Sequence, residues 1–148
     1  MSPTADVVQP AGPEGWERPT PAPDAVSARF WEAAAHGELL VQECPVCGHR
    51  QFYPRAACTA CGADPEWLTC SGRGTVHTFT IIRQNHAAPF RDELPYVVAI
   101  VELDEGPRLM GNVTGCEVDD VHVGMPVEVY MVIADEDVGV PMWRPASA

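Results

Sequence analysis

From residue 74 to the end, apolar and polar positions alternate along the chain. In Tyr96–Leu103, Val97, Ala99, Val101 and Leu103 fall on one face and Glu102 on the other. In Val127–Ile133, Val127, Val129, Met131 and Ile133 oppose Glu128 and Tyr130. A period of two marks a strand with one buried face. Thr75–Gln84, rich in Thr, Ile, Val and Phe, predicts another strand, and Arg108–Val113 a third after the turn residues Asp104, Glu105, Gly106 and Pro107. Val140–Arg144 is short and flanked by proline, which predicts an edge strand. Five short strands with turns between them and no long helical period predict a small all-β unit over 71–148. A five-stranded OB-fold barrel is the economical architecture.

Upstream the period changes. Val26, Phe30, Ala33 and Ala34 recur at helical spacing, with Trp31 beside them. Asp24 stands where an N-cap belongs and Gly37 where a helix stops, so 24–38 is predicted helical. Phe30 and Trp31 have two readings, packing on the domain itself or docking on another protein, because large aromatics serve both. Leu39–Glu43 predicts a short strand opening a ribbon over 39–70. Residues 1–23 hold six prolines together with Gly12 and Gly15 and one aromatic residue, Trp16, as their apolar anchor. That composition predicts a disordered tail or linker.

The candidate chemistry lies in CPVCGHRQFYPRAACTACG, residues 44–62. Cys44, Cys47, Cys58 and Cys61 form two C-x-x-C pairs, each followed by glycine. A tight knuckle turns backbone N–H groups toward the sulfurs, and glycine tolerates the left-handed backbone this requires. Four thiolates suit one tetrahedral Zn²⁺ and fill every position, leaving none for a reactive water, so the site is predicted to be structural. Iron also fits four sulfurs, as in a red electron carrier. His49 is read as a neighbour of the site rather than a ligand. Cys70 and Cys116 have no partner at ligand spacing and read as ordinary buried residues. His77 and His122 read as structural. No nucleophile elbow, zinc-protease motif, phosphate loop or dinucleotide-binding glycine pattern is present, so no catalytic residue is assigned.

Charge narrows the partners. The chain has a net charge of −12. Residues 44–91 carry five arginines against two acidic groups, whereas residues 92–148 carry two against twelve. An acidic barrel repels phosphate backbones, which disfavours the nucleic-acid role that ribbons and OB-folds otherwise serve. The N-terminus has no basic start followed by an apolar run, and no apolar stretch is long enough to span a bilayer. The chain therefore reads as cytoplasmic, where paired C-x-x-C spacing means metal rather than disulfide.

In order, FWEAAAHGELLVQECPVCGHRQFYPRAACTACG (30–62), SGRGTVHTFT (71–80), PYVVAIVELDEGPRLMGNV (95–113), VGMPVEV (123–129) and VPMWRP (140–145) resemble a family long known only as a domain of unknown function. Its members join an N-terminal helix and a rubredoxin-like zinc ribbon to a C-terminal OB-fold. The resemblance implies that Cys44, Cys47, Cys58 and Cys61 hold zinc and that the helix and ribbon, including Phe30 and Trp31, contact a partner. The implied partners are thiolase-like, lipid-transfer-type acyl-CoA enzymes, among them a retro-aldolase that shortens steroid side chains, and MaoC-type hydratases. The Arg83–Arg91 loop is the candidate for a contact with CoA phosphate. The function implied is a non-catalytic accessory subunit, with a nucleic-acid-binding module as the alternative.

Overall fold

The structure is a computed structural model, and it describes residues 5–10 and 15–147 of the 148-residue chain. A short strand β1 (Asp6–Val8) and a helix α1 (Ala28–Ala35) precede eight further strands. Strands β2 (Leu40–Glu43), β3 (Arg50–Gln51) and β4 (Glu66–Thr69) form a three-stranded ribbon with β2 in the middle. Strands β5 (Arg73–Ile82), β6 (Tyr96–Leu103), β7 (Arg108–Val113), β8 (Pro126–Asp135) and β9 (Val138–Pro145) follow. β5 pairs with β6, β6 with β7, β7 with β9, β9 with β8, and β8 again with β5. That circuit is a closed five-stranded barrel, the OB-fold.

The alternation read from the sequence fills this barrel except at the end of β8, where Val132 is buried and Ile133, expected on the inner face, is only half-buried. Val97, Ala99, Val101, Leu103, Val127, Val129 and Met131 are all buried. The predicted edge strand is a correction: β9 is eight residues long and seals the barrel, pairing along most of β8 and meeting β7 at Val113–Trp143. Trp143 is fully buried. Pro141 is tolerated because β9 meets β7 at that one register position, so few ladder bonds are demanded of its second edge.

The helix is shorter than the predicted 24–38. Asp24 nevertheless caps the turn leading into it: its Oδ1 accepts from the Ser27 N–H at 2.8 Å, and Ser27 Oγ accepts from the Asp24 N–H at 3.1 Å. This is a reciprocal capping arrangement one turn early. Gly37, at φ 84°, ends the helix with its N–H on the Ala34 carbonyl, while the Glu38 N–H reaches Ala33. Both bonds use carbonyls the helix leaves open. Phe30, Ala33 and Ala34 face inward, and α1 rests on β9.

The expectation of a disordered tail over 1–23 is also corrected where the chain is described. Asp6–Val8 pairs in parallel with Tyr130–Val132 of β8. Among the described residues, no helix is long and apolar enough to cross a membrane.

Candidate metal centre and its surroundings

The two cysteine pairs fold into matching knuckles. In the first, the Cys44 N–H bonds the His49 carbonyl at 2.8 Å and the Gly48 N–H bonds the Cys44 carbonyl at 2.9 Å. In the second, Cys58 bonds Ala63 at 2.8 Å and Gly62 bonds Cys58 at 2.9 Å. Gly48 and Gly62 have φ of 76° and 82°, the left-handed backbone that each turn needs. The knuckles are carried by the β2–β3 hairpin and by the segment entering β4.

All four sulfurs lie within 4.8 Å of one another. Cys44 Sγ and Cys61 Sγ are 3.5 Å apart, and Cys47 Sγ and Cys58 Sγ are 3.6 Å apart. A tetrahedral ion with Zn–S bonds of about 2.3 Å needs sulfurs about 3.8 Å apart, so the donor set fits Zn²⁺. Cys44 and Cys58 are buried, while Cys47 and Cys61 face outward. The Cys47 N–H points at Cys44 Sγ from 3.5 Å and holds that thiol below its ordinary value. Backbone N–H groups aimed at sulfur favour the thiolate, the form that binds metal. An ion held by all four sulfurs would have no open position, so it would fasten the ribbon rather than offer a reactive site.

Sequence reasoning missed what holds the second knuckle against the first. Gln42 and Gln51 are buried, at 4% and 8% exposure. Gln51 Nε2 donates to Gln42 Oε1 at 2.8 Å. Gln42 also accepts from the Arg55 N–H at 2.8 Å and donates to the Arg55 carbonyl at 2.9 Å. Gln51 accepts from the Thr59 N–H at 2.9 Å and donates to the Ala57 carbonyl at 3.2 Å. The two side chains thus do for the loop 55–59 what a neighbouring strand would. The available signal was symmetry: each glutamine stands two residues outside the Cys44–His49 turn, and the two pair across the hairpin.

Phe30, at 2% exposure, points into the core and is not itself offered to a partner. Trp31 stays half-buried at the surface, and its Nε1–H donates to Tyr53 Oη at 3.0 Å. Phe30, Trp31, Phe52 and Tyr53 form one aromatic cluster with ring centroids 5.0–6.4 Å apart. Tyr53 is 38% exposed, and Val46, on the first knuckle, is 75% exposed. Next to this cluster a concavity of about 300 Å³ is lined by His49, Arg50, Tyr53, Arg55 and Arg108, among others. The surface around the metal centre is therefore aromatic and rich in arginine, with Arg50 paired to Glu43 at 2.6 Å and Arg108 to Glu102 at 3.1 Å. Arg83 and Arg91 of the loop after β5 line neither this concavity nor the cavity described below. Cys70 is buried away from the centre and Cys116 is half-buried.

Comparison with known proteins agrees with this anatomy. Residues 31–66 match the rubredoxin-like zinc ribbon domain of ChsH2, and residues 67–132 match the ChsH2 C-terminal OB-fold domain. A DUF35 domain-containing scaffold protein of Methanocaldococcus jannaschii is 34% identical over 119 residues, covering 77% of this chain and 82% of that protein. A probable enoyl-CoA hydratase alpha subunit of Thermomonospora curvata is 37% identical over 129 residues, which is 87% of this chain. The chain spans 40% of the length of that hydratase subunit. Among solved structures, a chain of the Ltp2-ChsH2(DUF35) aldolase superposes with a TM-score of 0.77 at 35% identity, covering 86% of this chain and 99% of that one.

Proposed function

The chain belongs to the DUF35 family of ChsH2-type zinc-ribbon and OB-fold proteins, and we propose from that membership that it is a non-catalytic accessory subunit of a thiolase-fold acyl-CoA enzyme. The observation that carries this reading is the closed four-sulfur centre beside an exposed aromatic and arginine-rich surface. Such a centre can order a surface but has no place to activate water or substrate. Trp31 and Tyr53 are the anchors: rigid amphipathic rings of this kind concentrate binding energy at interfaces. Arg55, which has no carboxylate partner among the described residues, favours a partner that brings an acidic group to the concavity, since complementary charge sets register and speeds encounter.

The chemistry assigned to the partner is carbon–carbon bond cleavage on an acyl-CoA. The aldolase in the related complex supports this, and the sequence resemblance extends it to retro-aldol removal of a steroid side chain. The relatives described as hydratase subunits support a MaoC-type hydratase as a further neighbour. The test is co-expression with a thiolase-fold enzyme from the same genome. The pair should co-elute with one zinc per copy of this chain, and acyl-CoA cleavage should require both proteins. Turnover by this chain alone, or separate elution of the two, would overturn the assignment.

A further inference from the structure

β8 runs for ten residues, but β5 pairs with only its first three, Pro126–Glu128. Beyond them the β8 edge at Tyr130–Val132 would be bare, and β1 fills it. Asp6, Val7 and Val8 pair in parallel with Tyr130, Met131 and Val132. The entering end is fixed twice: the Ala5 N–H bonds the Gly37 carbonyl at 2.9 Å, and Arg144 Nη2 donates to Asp6 Oδ2 at 2.6 Å. Farther along, the chain returns to the barrel through Arg18. Its guanidinium donates to Asn112 Oδ1 at 2.7 Å and to Glu93 at 3.0 Å, and lies 5.2 Å from the Phe90 ring centroid. Between this segment and the outer surfaces of β7, β8 and β9 lies a cavity of about 430 Å³. Trp16, Tyr96, Thr114, Tyr130, Val132 and Met142 contribute to its walls.

Half-buried Ala5 packs against the core, but Asp6–Gln9 are exposed, Val7 and Val8 at 40% and 37%. Backbone pairing along three residues, the Ala5 contact and side-chain anchors at two points do the holding. An element with so little buried apolar surface opens at the low end of a protein's range of local stability. Adding an extended segment to a free sheet edge is also a recognition mode in its own right.

We propose that residues 5–10 and 15–18 act as a cis-bound ligand of a peptide groove on the barrel. The groove takes an extended segment with an acidic residue at Arg144, strand formers along Tyr130–Val132, and a downstream cation at Glu93 and Asn112. Its occupant in trans is the same segment from a second copy of this chain. The tethered segment faces its groove at an effective concentration on the order of millimolar, so free segments are shut out while the two anchors hold.

The test uses the full chain carrying D6A and R18A, with zinc content and far-UV spectrum compared with wild type to show that it is folded. A labelled peptide of residues 5–20 is titrated against both proteins by fluorescence anisotropy. The variant should bind it at least about tenfold more tightly than wild type. The Met131 amide, which faces β1 as the Val129 amide two residues earlier faces Gly72, should exchange faster in the variant and slow again when peptide is added. A second full-length protein, E93Q with R144Q, loses the anchors from the groove side. It should show the same fast exchange and no peptide binding. If the first variant ignores the peptide, binds a scrambled peptide equally well, or exchanges at Met131 as wild type does, the groove is not a recognition site and the proposal falls.

Discussion

Gly139 on β9 and Ala34 on α1 approach so closely that the glycine has no room for a side chain. A Cβ built there would stand 2.7 Å from the Ala34 carbonyl oxygen. This contact seats the helix, and with it Trp31 and the ribbon face, directly on the strand that closes the barrel. Gly139→Val should push α1 away and lower stability by about 1–3 kcal/mol, the usual cost of overpacking. Thermal unfolding would read this as a fall in Tm. An unchanged Tm would mean that the helix is free to shift.

Phe30 and Trp31 are neighbours with opposite duties. Phe30 sits in the core with Ala34, Leu39 and Val41. Phe30→Ala should destabilise the fold by about 3–5 kcal/mol through loss of burial and the cavity left behind. Trp31→Ala removes a half-buried ring that packs edge-on against Phe30 and donates one hydrogen bond to Tyr53, so it should cost about 0.5–1.5 kcal/mol, clearly less than Phe30→Ala. If the aromatic cluster is the docking surface, this substitution weakens co-elution with the thiolase-fold partner by tenfold or more, about 1.4 kcal/mol. Denaturant unfolding and a pull-down titration separate the two effects.

The barrel was legible because alternation carries it. Val97, Ala99, Val101 and Leu103 can face one way only, and a slip of one residue would expose them all. The metal centre was legible because ligand spacing is local. What lay hidden was non-local or backbone-borne. Nothing in the side chains of Asp6, Val7 and Val8 announces pairing with β8, which is made through main-chain groups beside a proline-rich stretch. Closure at Val113–Trp143 joins residues far apart in sequence. Gln42 lies in a short strand between Val41 and Glu43, neighbours that say nothing of a buried amide, and only the folded hairpin shows what it satisfies.

The four ligand cysteines and Cys70 should respond differently to substitution. Cys58→Ser should abolish stoichiometric zinc and expose the ribbon to protease, because the metal-bound state is the folded state of such a segment. Cys70→Ser should keep one zinc per chain. Metal analysis after gel filtration, with limited proteolysis of the same fractions, distinguishes the two. Zinc retained by Cys58→Ser would argue against a four-sulfur site.

Cys70 also predicts an alkaline limit to stability. Burial first, then the Glu105 carboxylate beside it, push the Cys70 thiol up to about 12 from an ordinary value of 9.0. The folded state therefore keeps a proton that the unfolded state releases. The sign follows: this stabilising difference is complete below pH 9 and is lost as pH rises toward 12. The slope attributable to one proton is about 1.4 kcal/mol per pH unit. Urea unfolding of wild type and Cys70→Ala at pH 8, 9.5 and 10.5 should show the gap between them narrowing as pH rises. A constant gap would mean that the thiol does not titrate with folding.

The glutamine pair offers the sharpest separation of scaffold from metal. Gln42 and Gln51 together bond the backbone of Arg55, Ala57 and Thr59, so the loop reaches the second knuckle already shaped. In Gln42→Leu the Arg55 N–H and carbonyl and one Gln51 N–H lose their partner, and the cost of leaving buried polar groups unpaired is about 1–3 kcal/mol in total stability. Because that loop positions Cys58 and Cys61, the same change should weaken zinc binding, read as faster release to a colorimetric chelator. Gln42→Glu keeps the acceptor for Arg55 and Gln51 but loses the donor to the Arg55 carbonyl and buries a charge, so it should not restore the wild-type rate. If Gln42→Leu releases zinc no faster than wild type while losing stability, the pair supports the hairpin alone and the knuckle is shaped by the metal itself.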